Sequence, residues 1–139
     1  MARQFWEYPI SGDTAAHKRR GGGPATDYAV PSGTALYAPF TGRIEPFANE
    51  DGGKGIRLVG SRFTLNVQHL SRNDLYKRNA LRLWRTRIAI SGNTGKSTGP
   101  HVHAWILDRK TGRRMSFLEW QRMRGHRLAA ASKRFLGIK

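Results

Sequence analysis

Gly55-Ile56-Arg57-Leu58-Val59-Gly60-Ser61-Arg62-Phe63-Thr64-Leu65-Asn66-Val67-Gln68 is the stretch on which the fold turns. Residues 55–59 and 63–68 read as two short strands broken by Gly60-Ser61. Upstream, residues 42–47 precede this pair across Asn49-Glu50-Asp51-Gly52-Gly53, another turn composition. Residues 27–30 and 34–38 flank Pro31-Ser32-Gly33, which reads as a turn. Neighbouring strands so close together predict hairpins. Downstream, residues 87–91 form a further candidate strand, then a loop over 92–100, then a strand over 101–107. No helical pattern is long enough for βαβ crossovers, so an antiparallel all-β domain is expected. Residues 71–84 leave room for one short helix at Asn73-Asp74-Leu75-Tyr76.

Length and charge bound the rest. A chain of 139 residues is large enough to bury a single core without staples. It has no cysteine, so a disulfide framework, a thiolate metal site and a cysteine nucleophile are all excluded. Lys and Arg number 25 against 9 Asp and Glu, a formal net charge of +16. Such a field attracts polyanions: nucleic acid, acidic envelope polymers or anionic lipid. There is no apolar run long enough for a membrane span, and the first residues show no apolar signal segment. Synthesis in a cytoplasm is therefore expected. Residues 1–24 are polar and end in a Gly-rich loop, and the β-sheet core domain is expected over 1–107. Residues 108–139 form a basic, partly helical C-terminal tail with 10 of the 25 basic residues. That tail either packs Phe117, Leu118 and Trp120 on the sheet or anchors the chain to an anionic surface such as a wall polymer.

Four of the five histidines, His17, His69, His101 and His103, fall in segments suited to metal and carbonyl chemistry. His101 and His103 lie two apart at the start of a strand, so they project from one face. One imidazole can bind a cation while the other reaches a water on it. Asp27 opens the first strand and His69 closes the strand 63–68. The logic is a three-ligand zinc with an open fourth position, which lowers the pKa of a bound water and polarises a carbonyl. No His-Glu-x-x-His motif supplies a helix-borne base. The remaining histidines must then move the proton and stabilise the oxyanion.

At these residues the chain resembles the lysostaphin-type (LytM-like, M23) zinc metallo-endopeptidases. Asp27-Tyr28-Ala29-Val30-Pro31-Ser32-Gly33-Thr34, with Ala38-Pro39 and Gly42, is similar to that family's first block. Gln68-His69-Leu70-Ser71 resembles its His-Leu block, and Ser91-Gly92-Asn93-Thr94-Gly95-Lys96-Ser97-Thr98-Gly99-Pro100-His101-Val102-His103 its last. The resemblance covers roughly residues 17–106. It implies an antiparallel sheet with a substrate groove, one catalytic zinc per chain, and hydrolysis of peptide bonds in bacterial peptidoglycan. It implies His17, Asp27 and His103 as zinc ligands and His69 and His101 as the catalytic pair. Asn93 to Pro100 would shape one groove wall.

The chain departs from the family at two places. The family's first ligand stands four residues before the Asp; here the nearest preceding His is His17, ten before Asp27, with a Gly-rich insertion between. The family's glycines before the Ser91-Gly92-Asn93 segment are replaced by Leu83-Trp84-Arg85-Thr86-Arg87, a matter of turn geometry. Trp84, Trp105 and Trp120 are expected in the core or the groove wall, and His126 is expected to be uninvolved. The enzyme reading is the expected one, with a phage lysin or virion-associated wall hydrolase as its setting. A metal-free relative, acting as a cell-wall binding or regulatory module, is the alternative. A nucleic-acid binder rests on charge alone, with no matching motif and no aromatics interleaved with the basic runs. The bond cut stays open among glycine-rich bridges, D-Ala–diamino-acid cross-links and stem peptides.

Overall fold

The computed structural model of the protein describes residues 3–12 and 22–125. His17, His126 and the rest of 126–139 lie outside the described residues. A 3₁₀ turn at Phe5–Glu7 precedes β1 (Ile10–Gly12), β2 (Thr26–Tyr28) and β3 (Ala35–Tyr37). The long central strands are β4 (Gly42–Asn49), β5 (Gly53–Val59) and β6 (Phe63–Arg72), followed by the short β7 (Leu81–Arg82). β8 (Arg87–Ser91), β9 (Val102–Asp108) and β10 (Arg114–Ser116) complete the sheet, and residues 117–125 form the helical segment α1. Among the described residues no helix is long and apolar enough to cross a membrane.

The domain is all-β and its strand pairings are antiparallel. The main order is β1-β2-β9-β6-β5-β4-β7, with β10 on β9, β3 on β8, and β8 also on β6. The hairpins β4–β5 and β5–β6 form as the turn composition predicts. The strands on either side of Pro31-Ser32-Gly33 do not pair with each other. β2 pairs β1 and β9, whereas β3 crosses to β8. The turn is held to β8 instead: Gly33 N–H donates to Ser91 O, and Ser91 Oγ donates to Pro31 O. Non-local bonds thus override the local hairpin pattern.

Asn73 to Tyr76 carry no helix. Asn73 Nδ2 donates to Phe47 O at 2.9 Å and to Gly55 O at 3.1 Å. A short polar side chain committed to backbone carbonyls elsewhere leaves too few residues to nucleate a turn of helix.

The core follows the pleat. Along β9 burial alternates, with Val102, Ala104 and Ile106 facing the core and His103, Trp105 and Leu107 on the other face. Ile44, Ile56, Leu58, Leu65 and Val67 meet the β9 side chains there. An aromatic group closes one end of this core. Phe5 lies 4.9 Å from Phe117 between ring centroids, and Trp120 lies 5.3 Å from Phe117, 5.7 Å from Phe40 and 5.8 Å from Phe63. Residues 114–120, within the stretch expected as a tail, therefore supply Met115, Phe117 and Trp120 to the main core. Leu118 is only half-buried. Trp84, expected in the core or a groove wall, is exposed.

Candidate active site

Three adjacent strands carry the site. In the antiparallel register, Asp27 on β2 faces His103 on β9, and His103 faces Gln68 on β6. Directly opposed side chains lie on the same face of a sheet, so these three form one row on the side away from the core. His103 Nδ1 and Asp27 Oδ1 are 2.9 Å apart. His101 sits one residue before β9 rather than inside it. Its Nε2 is 3.7 Å from the same carboxylate oxygen.

His69 arrives by a different route. A regular strand would turn residue 69 to the face opposite Gln68. Instead the β5–β6 register shifts between Lys54 and Ile56, which puts an extra residue on β6. His69 takes φ 63°, the left-handed region. This is a β-bulge, which re-aims a side chain at the cost of local strain. The result is a ring 4.6 Å from that of His101 and 5.9 Å from that of His103, centroid to centroid. Its backbone N–H donates to Gly52 O at 2.7 Å, which pins the bulge.

Both rings outside the Asp27–His103 pair are oriented by carbonyls. Nδ1–H of His69 donates to Thr94 O at 2.7 Å. Nδ1–H of His101 donates to Gly99 O at 2.9 Å, with Ser97 Oγ 3.1 Å from the same nitrogen. A neutral imidazole with its proton on Nδ1 has a lone pair on Nε2. The two rings thus share one tautomer, and each can accept a proton at the far nitrogen. Burial holds the His69 pKa below the ordinary histidine value, against the opposing effect of the Thr94 carbonyl. His69 is therefore neutral at neutral pH.

Thr94 is itself fixed. Its Oγ1 donates to Leu70 O at 2.6 Å and accepts from Lys54 N–H at 3.0 Å. Next to it, Gly53 and Gly95 are in backbone contact: a Cβ on Gly95 would lie 2.3 Å from Gly53 N. Both have positive φ. These glycines let the loop over 92–100 lie on the β4–β5 turn, and Lys96 pairs with Asp51 across it at 3.1 Å. The open groove has a volume of about 710 Å³ and is lined by Asp27, His69, His101 and His103, with Gln68, Asp51 and residues 96–100 along its walls. Of the groove wall expected over 93–100, residues 96–100 line the groove. The share of Gln68, Asp51 and Ser11 in the lining was not read from the sequence. For Gln68 the signal was available, because it precedes His69 and falls in register with His103.

The donor set bears on a metal. Asp27 and His103 are 8% exposed and half-buried respectively, and offer oxygen and nitrogen donors converging on one point. That chemistry suits zinc in a protein without thiolates. Among the described residues, however, no group of three or more His, Asp or Glu is arranged to hold a metal ion. The residues present fit as two ligands of a site whose third must come from elsewhere. His17, the expected third, lies outside the described residues. The position four before Asp27 is Gly23, which lies against the Arg114 guanidinium and has no side chain to offer.

No family model matches the chain. Among curated proteins, it is 36% identical to an uncharacterized metalloprotease of Haemophilus influenzae over 99 residues, which are 69% of this chain and 19% of that protein. It is 32% identical to the peptidoglycan DD-endopeptidase ShyA of Vibrio cholerae over 107 residues, 73% of this chain and 23% of that one. The chain thus spans about a fifth of the length of these relatives. Among solved structures, a zinc-containing peptidase from Vibrio cholerae superposes with a TM-score of 0.65 and 26% identity, covering 82% of this chain and 39% of that one. The catalytic domain of lysostaphin from Staphylococcus simulans does so with a TM-score of 0.58 and 25% identity, covering 78% and 77%. By these likenesses the chain belongs to the lysostaphin-type (M23) peptidase family.

Proposed function

We propose that the chain is a zinc-dependent endopeptidase that hydrolyses peptide bonds of bacterial peptidoglycan. The observation that carries this reading is the convergence of Asp27, His69, His101 and His103 on one groove. The ShyA relative, a peptidoglycan DD-endopeptidase, supports the substrate class. Asp27, His103 and His17 would hold the zinc, which when bound supplies Lewis acidity to a water and to the scissile carbonyl.

The chain's own residues then divide the work. The groove binds an extended peptide stem across the row Asp27–His103–Gln68. His69, held by Thr94 O, takes at Nε2 the proton of the attacking water. Once protonated there, the ring becomes a donor toward the leaving amine. His101, held by Gly99 O, stands beside it and stabilises the negative oxygen of the tetrahedral intermediate when its own Nε2 carries a proton. Release by a phage, or entry with a virion, would bring the chain to the wall, and the basic residues of 108–139 would contact anionic wall polymers.

A second reading, a metal-free relative that binds the wall, draws on one observation: glycine stands at the position four before Asp27. Digestion of purified peptidoglycans of several cross-link types, with mass spectrometry of the products, separates the two. The enzyme releases defined peptides, loses this activity to a chelator and regains it with zinc. Binding without release, with or without zinc, would leave only the second reading.

A further inference from the structure

The edge of the sheet farthest from the groove carries an unusual surface. Residues 75–87 contain five basic side chains, Lys77, Arg78, Arg82, Arg85 and Arg87, and no acidic one. In the same segment Leu81, Leu83 and Trp84 are 51%, 58% and 57% exposed. Large apolar side chains this exposed and this close together mark an interaction site rather than ordinary surface.

The patch is rigid. Thr86 N–H donates to Leu83 O at 3.0 Å and closes a turn with Trp84 and Arg85 at its two central positions. Trp84 N–H donates to Thr41 Oγ1 at 2.9 Å, Arg85 N–H to Ala38 O at 2.9 Å, and Ala38 N–H to Thr86 O at 2.8 Å. Arg85 has φ 68°. In a turn of this kind that position favours glycine, because a Cβ there crowds the backbone. The chain nevertheless places an arginine there, its guanidinium 4.4 Å from the centroid of Trp84. Arg82 stacks likewise on Tyr76, at 3.8 Å. The turn thus holds a cation beside an exposed indole on a backbone tied to Ala38 and Thr41.

The chemistry selects the partner. Tryptophan and leucine rimmed by arginine are the residues that sit at a lipid headgroup boundary, the apolar tips in the acyl region and the cations on phosphates. A soluble anionic polymer would use the cations but has no apolar phase for Leu81 and Leu83. We propose that the turn around Leu83 and Trp84 docks the protein on the surface of an anionic lipid bilayer. β7 lies four strand positions from β9 in the sheet order, on the order of 20 Å at the usual strand spacing.

The test is co-sedimentation of the full chain with phosphatidylcholine vesicles, with and without phosphatidylglycerol. The wild type is expected to partition onto the anionic vesicles only, and its fluorescence to be quenched by brominated acyl chains. The double variant Leu83→Ser, Trp84→Ser should partition roughly tenfold less or weaker still, with its melting temperature and its activity on peptidoglycan unchanged. Equal partitioning of variant and wild type, or no quenching by the brominated lipid, would overturn the proposal. So would an equal loss of affinity for a soluble anionic polymer, which would make the partner a polymer. A wild-type dimer in sedimentation velocity that the variant abolishes would make it a second copy of this chain.

Discussion

Asp27 and His103 are register partners on adjacent antiparallel strands, and their side chains meet at 2.9 Å. Opposed strand positions have their Cβ atoms about 5 Å apart. A carboxylate and an imidazole placed there reach a common point without any loop having to order. Two ligands of the proposed ion site would thus stand on paired strands, while the residues that orient the other two histidines sit on a loop held down by Gly53 and Gly95.

Thr94 orients His69 without being able to touch substrate chemistry itself. Thr94→Val removes the Oγ1 bonds to Leu70 and Lys54 and frees the carbonyl that holds His69 Nδ1. It is expected to lower kcat by about 10- to 100-fold, with zinc content unchanged. Thr94→Ser keeps the hydroxyl and should restore most of the rate. Steady-state kinetics with a defined cross-linked peptide checks both. Equal loss in the two variants would mean that the methyl packing, not the hydrogen bonds, is what counts.

The bulge at His69 separates stability from activity. His69→Ala and His69→Gly should both lose turnover, by roughly 10²–10⁴-fold. Their stabilities should differ, because only glycine adopts φ 63° without a Cβ penalty. His69→Gly is expected to be more stable than His69→Ala by about 1 kcal/mol, read from urea unfolding. An alanine variant as stable as the glycine variant would show that the backbone at 69 relaxes once the ring is gone.

His17 is the remaining ligand of the proposal and lies outside the described residues. His17→Ala is expected to lower zinc affinity and to abolish activity at low zinc, as measured by titration with a chelating indicator. Unchanged affinity and rate would move the third ligand to another group.

Asp108 and Arg62 make a pH-dependent contribution to stability. The guanidinium is 3.2 Å from the carboxylate and holds its pKa below the usual carboxylate range, chiefly by that hydrogen bond. A depressed carboxylate pKa stabilises the fold above the unfolded value, about 4, and the contribution disappears as pH falls through the folded value. Arg62→Ala should therefore be less stable than the wild type near neutrality, and the gap should close on acidification below about pH 4. Denaturant midpoints at several pH values give the answer. A gap that is constant with pH would assign the loss to the stacking of Arg62 on Phe63 instead.

Much of this was legible in the residues. The hairpins around Gly60-Ser61 and Asn49 to Gly53 follow from turn chemistry, which is local. The placement of His101 and His103 on one face follows from the period of a strand. The rest depends on contacts far apart in the chain. β3 leaves its sequence neighbour for β8, where Ser91, 60 residues on from Pro31, donates to the Pro31 carbonyl of the turn before β3. The aim of His69 comes from an extra residue that only the pairing with β5 defines. The left-handed turn at Arg85 occupies a place where glycine would have announced it. In the basic stretch 108–139 the packing of Phe117 and Trp120 was one of two readings their apolar side chains allowed, whereas Met115, between Arg114 and Ser116, gave no such signal.

The most direct measurement is zinc content by mass spectrometry of the full chain, purified with zinc present and then dialysed. The account expects one zinc per chain in the wild type and in His69→Ala, and almost none in Asp27→Ala and His103→Ala. A wild type that retains no zinc, or a His103→Ala variant that retains it all, would contradict the assignment of the site.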